Sequence, residues 1–306
     1  MSTLNFDGRV IVVTGAGNGL GRAYALDLAK RGARVVVNDL GVAPDGSGSD
    51  SSPAQRVADE IKAAGGAAIA NHASVAEETS GASIIQAALD HWGRIDGVIA
   101  NAGFLRDVSF AKLTRKELDP IIDVHLRAAF YVLGPAFRAM KDAGKGGRLI
   151  VTTSPSGIFG NFGQTNYGAA KMGLVGLTRS LAIEGRKYGI FTNAIAPVAA
   201  TRLVMTVEAN KEQGKTDGWG PEGVAPLAVF LSHPACPSNG EIFLATGGWY
   251  ARVASVLGDG AVIPQAQLSA ETVQENWEHI RNIEGARELD NAFAISALMQ
   301  QKIGVG

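Results

Sequence analysis

The chain predicts an α/β fold, a doubly wound parallel sheet of about seven strands with helices on both faces, and three observations carry that prediction. Short β-branched runs recur between longer helical stretches, the alternation expected of βαβ units whose sheet is covered on both sides. Glycine is frequent, 39 of 306 residues, as many tight βα turns require. The hydrophobic share of 46% can bury one large core, so residues 1–306 read as a single domain.

Strands are expected near 9–14, 33–38, 67–72, 96–100, 148–153, 191–196 and 241–245, and helices at 20–31, 55–64, 80–92, 115–142, 169–188 and 221–231. Gly32 and Gly189 stand where helices should stop. Right-handed crossovers then leave ligands to bind beyond the carboxyl ends of the strands. Three stretches break the rhythm. Residues 41–50, rich in Gly, Ser, Asp and Pro, read as an exposed loop and a tolerated insertion. Residues 202–220 mix Leu203, Val204 and Met205 with polar residues and read equally as a substrate lid or a surface loop. The tail at 258–306 carries Val273, Trp277 and Ile280 at helical spacing and reads as a helical extension packed on the domain.

With 28 basic and 29 acidic residues interspersed, the formal charge is −1, and nothing resembles the basic footprint of a nucleic-acid binder. A lone cysteine, Cys236, excludes an intramolecular disulfide, and no cysteine and histidine cluster has zinc spacing, so no metal and a reducing compartment are expected. The start of the chain lacks a signal-peptide plan and no apolar run could span a bilayer. A soluble, cytoplasmic protein without a membrane partner is the expectation.

The segment Thr14-Gly15-Ala16-Gly17-Asn18-Gly19-Leu20-Gly21 follows the apolar run Val10-Ile11-Val12-Val13 and opens a helix. Bare backbone there can turn sharply and approach a pyrophosphate, whose charge meets free amides and the positive end of the helix. Its alternative is a glycine-rich turn with no ligand. Asp39, eighteen positions after Gly21, ends the second strand, where a carboxylate can accept hydrogen bonds from ribose hydroxyls and would repel a 2′-phosphate. Since no Lys or Arg lies in the glycine loop, NAD is expected over NADP. This makes the sheet a Rossmann-type one. Asn101-Ala102-Gly103 ends the fourth strand on the same edge.

Tyr167 and Lys171, four apart on a helix, share a face. An ammonium beside a phenol is expected to lower the phenol pKa from about 10 toward the range of a working acid or base. Ser154 follows the fifth strand, and its hydroxyl can orient a substrate oxygen toward Tyr167. A proton relay beside a nicotinamide site suits the interconversion of an alcohol and a ketone.

Taken together, Thr14-Gly15-x-x-x-Gly19-x-Gly21, Asn101-Ala102-Gly103, Ser154 and Tyr167-x-x-x-Lys171 resemble the short-chain dehydrogenase/reductase family from about Gly8 to Gly248. The runs Val36-Val37-Asn38-Asp39-Leu40-Gly41, Leu105-Arg106-Asp107, Val124-His125-Leu126-Arg127 and the stretch 157–164 are similar to the (3R)-hydroxyacyl-CoA dehydrogenase regions of peroxisomal multifunctional β-oxidation enzymes, also classed with 17β-hydroxysteroid dehydrogenases. The resemblance implies that Ser154 binds the substrate oxygen, Tyr167 exchanges the proton, and Lys171 tunes Tyr167 and holds the nicotinamide ribose. It implies Gly15, Asn18, Gly19, Leu20, Gly21, Asp39, Asn101, Ala102 and Gly103 around the cofactor, Ser74 and Val75 against adenine, and Pro197 to Ala199 beside the nicotinamide. His125 stands where the family has a catalytic asparagine, Ala73 where it has an aspartate near adenine, and Val198 where a glycine follows the proline; Thr201 falls one position early. The activity implied by the resemblance is that of an NAD-dependent dehydrogenase of a (3R)-hydroxyacyl-CoA, with a steroid alcohol as the alternative substrate and a catalytically silent NAD-sensing module as the remote alternative. A homodimer or homotetramer is implied by the family.

Overall fold

In the computed structural model, residues 4–43, 45–199 and 219–303 are described. The stretch 202–220, apart from Trp219 and Gly220, and Thr201 lie outside them. The chain divides into two compact units, residues 1–252 and 253–306. In the first unit, β1 (Val10–Thr14) is buried along its whole length. It pairs in parallel with β2 (Arg34–Asn38) on one side and β4 (Gly97–Ala100) on the other. The sheet continues through β3 (Ala67–Asn71), β5 (Gly147–Thr152), β6 (Ile190–Pro197), β7 (Ile242–Thr246) and β8 (Trp249–Val253), in the order β3-β2-β1-β4-β5-β6-β7-β8. Winding reverses between β1 and β4, which opens a crevice at their carboxyl ends.

Strand side chains alternate between the two faces. Ile11, Val13, Val35 and Val37 join one core with Tyr24 and Leu28 of α1 (Gly19–Lys30), Val57 and Ile61 of α2 (Ser52–Ala63), and Val229 and Leu231 of α8 (Ala225–Ser232). On the other face α3 (Glu78–Trp92) packs against α5 (Ala128–Ala143), and α7 (Thr165–Gly185) lies on β6. α1 ends before Gly32, whose φ is +93°, and the chain leaves α7 through Gly189 at φ +69°, so both glycines stop helices as expected.

Two departures have local causes. The helix expected over 115–142 is α4 (Arg115–Ile122), a π-helical turn at Asp123–Arg127, and then α5. Pro120, inside α4, lacks an N–H and leaves the carbonyl of Lys116 without its helical donor; Arg106 Nη1 donates to that oxygen at 2.9 Å. The eighth strand follows β7 after only Gly247 and Gly248, a link that permits only an antiparallel neighbour. Its Trp249 and Tyr250 are exposed, so it carries no buried alternation by which sequence could announce it.

The second unit starts at Val253. It holds α9 (Ala270–Glu275) and α10 (Trp277–Ile280), separated at Asn276, with Val273 and Trp277 exposed. α11 (Ala294–Ile303) and a bridge between Leu257 and Arg287 complete it, with Asp259 paired to Arg287 at 3.0 Å and to Lys302 at 2.6 Å.

A Cβ on Gly21 would sit 2.2 Å from the Gly15 carbonyl oxygen, backbone that cannot move without distorting the β1–α1 turn. Gly21→Ala is expected to cost at least about 2 kcal/mol and lower the thermal midpoint by roughly 5 °C in a calorimetric scan.

Candidate active site

The carboxyl end of β1 and the loop after it form one wall of a cavity of about 720 Å³. Gly15, at φ +64°, turns the chain so closely onto β4 that a Cβ there would lie 2.7 Å from Ala102 Cα. Asn18 caps α1 without a side-chain bond, and Asn18, Gly19 and Leu20 line the cavity. The first-turn amides of α1 are therefore open to an anion. Asp39 also lines the cavity; its Oδ2 accepts from Gly17 N and its Oδ1 from Gly41 N, each at 2.7 Å. The carboxylate is held rigid by backbone, with lone pairs left for further donors. This set fits a dinucleotide: an open helix N-terminus for the pyrophosphate and a fixed acceptor one strand away.

Ser74 and Val75 continue the wall, Asn101, Ala102 and Gly103 cross its floor, and Pro197 and Ala199 close it from β6. Gly21 alone of the expected cofactor residues does not line the cavity; it serves the packing of α1 on the loop. Asn101 is a structural tie, its Nδ2 donating to the carbonyls of Thr14 (3.0 Å) and Gly15 (3.3 Å). At the aspartate-to-Ala73 position, the main chain is already engaged: Asn38 Nδ2 donates to Ala73 O at 3.0 Å.

Ser154, Tyr167, Lys171 and His125 meet at the other end of the same cavity. Ser154 caps the short helix α6 (Pro155–Phe159), accepting from Ser156 N at 3.1 Å, which leaves its own hydroxyl proton to donate. Tyr167 and Lys171 lie one turn apart on α7, with Lys171 Nζ 5.4 Å from the phenol ring centroid. That ammonium is buried and donates to Thr152 O at 2.6 Å.

The expected lowering of the phenol pKa is not found. Burial pushes Tyr167 up to about 12, while the Ser154 hydroxyl pulls it down and the charge of Asp107 adds to the rise. Burial also pushes Lys171 down to about 7. Both shifts disfavour the charged form, as burial does for an acid and a base alike. His125 is buried, and burial followed by the nearby Lys171 holds its pKa well below the usual range, so the ring is neutral at physiological pH. Its Nε2 bonds Phe104 O at 2.7 Å and its ring meets that of Tyr167 edge-on at 4.9 Å.

Three features had no role assigned from sequence. Gln164, Asn161 and Asp107 form a hydrogen-bonded chain beside Tyr167, and a polar residue three positions before the tyrosine was the available signal. Arg106 donates through Nε to Asp45 O at 3.0 Å and stacks over Phe104. The 41–50 stretch is thereby no free insertion: Val42, Ala43 and Gly46 line the cavity, and Gly46 packs on the Phe104 ring so tightly that a Cβ would lie 2.7 Å from it.

A model of the family described as short chain dehydrogenase matches residues 9–214. The chain is 46% identical over 287 residues to peroxisomal multifunctional enzyme type 2 of Mus musculus, covering 93% of this chain but 38% of that protein. It is 34% identical over 321 residues to hydroxyacyl-CoA dehydrogenase ChsB1 of Mycobacterium tuberculosis, covering 98% of this chain and 96% of that one. The structure of full-length peroxisomal multifunctional enzyme type 2 from Drosophila melanogaster matches with a TM-score of 0.80 at 36% identity, over 98% of this chain and 50% of that chain. The chain thus spans half or less of these two multifunctional relatives.

The Lys171 shift has a sign that can be measured. The unfolded lysine keeps its proton up to pH 10, whereas the folded one loses it above about 7, so unfolding takes up a proton in that window and stability rises with pH. Denaturant titrations of the ligand-free protein between pH 7 and 10 are expected to show a slope approaching about 1.4 kcal/mol per pH unit, largely absent in Lys171→Met. For Asp39, fluorescence titrations are expected to show NAD binding at least roughly tenfold tighter than NADP, with Asp39→Ala narrowing the gap.

Proposed function

The chain belongs to the short-chain dehydrogenase family and is an oxidoreductase, and from that premise we propose that it uses NAD to interconvert a (3R)-hydroxyacyl-CoA and the 3-ketoacyl-CoA. The observation that carries the proposal is the meeting of Ser154, Tyr167 and Lys171 at one end of a cavity whose other end is the glycine loop and Asp39.

When bound, the nicotinamide cofactor carries the hydride. The protein's part is the proton and the position of the reacting oxygen. Ser154 steadies that oxygen with a hydrogen bond from its hydroxyl, and Tyr167 exchanges the reaction's one proton at its Oη. With a pKa near 12, Tyr167 rests as the neutral phenol, the form that protonates an alkoxide during ketone reduction. Alcohol oxidation needs the phenolate, whose share grows with pH below a pKa near 12. Oxidation is therefore faster at alkaline pH, and reduction persists at neutrality.

Asp39 favours NAD because a 2′-phosphate would face its carboxylate. The 34% identical relative named a hydroxyacyl-CoA dehydrogenase supports a thioester substrate over a steroid alcohol. A homo-oligomer is proposed from the family, and sedimentation would read its size. No helix among the described residues is long and apolar enough to cross a membrane. The cytoplasmic location stays a proposal, since the mouse relative is named peroxisomal.

The test monitors NADH formation from NAD with a (3R)-hydroxyacyl-CoA and, separately, a 17β-hydroxysteroid. Turnover of the thioester is expected, and Tyr167→Phe is expected to lose on the order of 10²–10⁴ in kcat with the fold intact. Turnover of the steroid alone would replace the substrate assignment. An unchanged Tyr167→Phe would remove the proton-transfer role.

A further inference from the structure

Gln164 and Asn161 take no part in the proton transfer, yet both line the cavity beside Tyr167. Gln164 is 4% exposed and stands at the N-terminal cap of α7, three residues before Tyr167. That spacing puts its side chain and the phenol on one wall, with Cβ atoms about 5–6 Å apart.

A charge sets the direction of the amides. Asp107 Oδ2 accepts from Gln164 Nε2 at 2.8 Å. An ionised carboxylate accepts only, so the NH₂ end of Gln164 is held at Asp107 and its Oε1 turns to Asn161, whose Nδ2 donates to it at 3.0 Å. Each amide NH₂ has two hydrogens, and each engages one of them in this chain. One N–H of the buried Gln164, and one of the exposed Asn161, is not used within this chain of bonds, and both residues line the cavity. Buried donors are matched by acceptors in folded proteins, and a fixed, half-bonded amide on a substrate wall calls for one from the substrate.

Building on the dehydrogenase reading, we propose that Gln164, with Asn161 beside it and Asp107 orienting both, determines specificity by receiving a second oxygen of the substrate. The substrate class is then a β-hydroxy carbonyl compound rather than an isolated secondary alcohol. In a 3-hydroxyacyl thioester the carbonyl carbon is two bonds from the carbinol carbon, so with the hydroxyl at Ser154 and Tyr167 its carbonyl oxygen falls within a few ångströms, in reach of a residue one turn earlier on the helix. A steroid alcohol presents hydrocarbon there and leaves the amide donors unpaired, and sites built to bond a polar group reject analogues lacking it by large factors. Asp107 is a positioning residue in this scheme, because it acts through Gln164.

The experiment compares kcat/KM for (3R)-hydroxyoctanoyl-CoA with that for octan-2-ol, in wild type, Gln164→Leu and Asp107→Asn. The ratio of the two is expected to fall at least about tenfold in Gln164→Leu and by a smaller factor in Asp107→Asn, which lets the amide rotate. Thermal unfolding reports whether the variants fold. Should Gln164→Leu not fold, the exposed Asn161→Ala carries the same expectation. A ratio that stays constant, whether both substrates slow together or neither does, overturns the assignment. Failure of the wild type to oxidise any alcohol overturns the dehydrogenase reading itself, and this assignment with it.

Discussion

Thr14 and Asn101 hold together the two strands between which the sheet reverses its winding. Thr14 Oγ1 accepts from Asn101 N at 3.0 Å and Ala102 N at 3.1 Å, while Asn101 Nδ2 returns a bond to Thr14 O. Strands wound in opposite directions diverge at this edge, and these side chains satisfy backbone groups that the ladder has ceased to pair. The rest of the site is built outward from the tie. Gly15 begins the phosphate loop in contact with Ala102, Gly103 leaves room for the His125 ring, and that ring meets Tyr167. Cofactor wall and proton-transfer wall are thus joined by direct packing through the floor of the cavity.

The chemistry is placed where burial works against charge. A phenol near 12 and an amine near 7 in one wall are both held from their charged forms, which brings the amine toward neutral pH and takes the phenol away from it. His125 shares that environment, its ring neutral and bonded to the Phe104 carbonyl. The asparagine position of the family thus holds a buried neutral ring here.

The parts of the molecule legible in the sequence are those that local spacing encodes. The glycine loop, Asp39, Ser154 and the Tyr167–Lys171 pair each depend on a strand end or a helical turn, and seven strands are marked by short β-branched runs. The parts that were not legible depend on distant partners or on burial. Asp107 and Gln164 meet across 57 positions, and neither carries a motif alone. The exposed β8 shows no alternation. The π-helical turn at Asp123–Arg127 is hidden in a pattern that reads as one long helix. The rise of the phenol pKa depends on burial, which the spacing of Tyr167 and Lys171 does not encode.

The proline in α4 reaches further than its helix. By withholding one N–H it hands the Lys116 carbonyl to Arg106, whose Nε in turn grips the Asp45 carbonyl, so that a helix defect anchors a loop seventy-five positions upstream. The glycine- and serine-rich segment is in effect moored from outside, its own composition supplying slack and the arginine supplying the fixed point. Length in such a segment is not freely adjustable: a deletion would pull Gly46 from the Phe104 ring, and an insertion would loosen the wall it contributes to the cavity. Natural variation in the loop should accordingly track changes at the arginine and the proline, three sites behaving as one inherited unit.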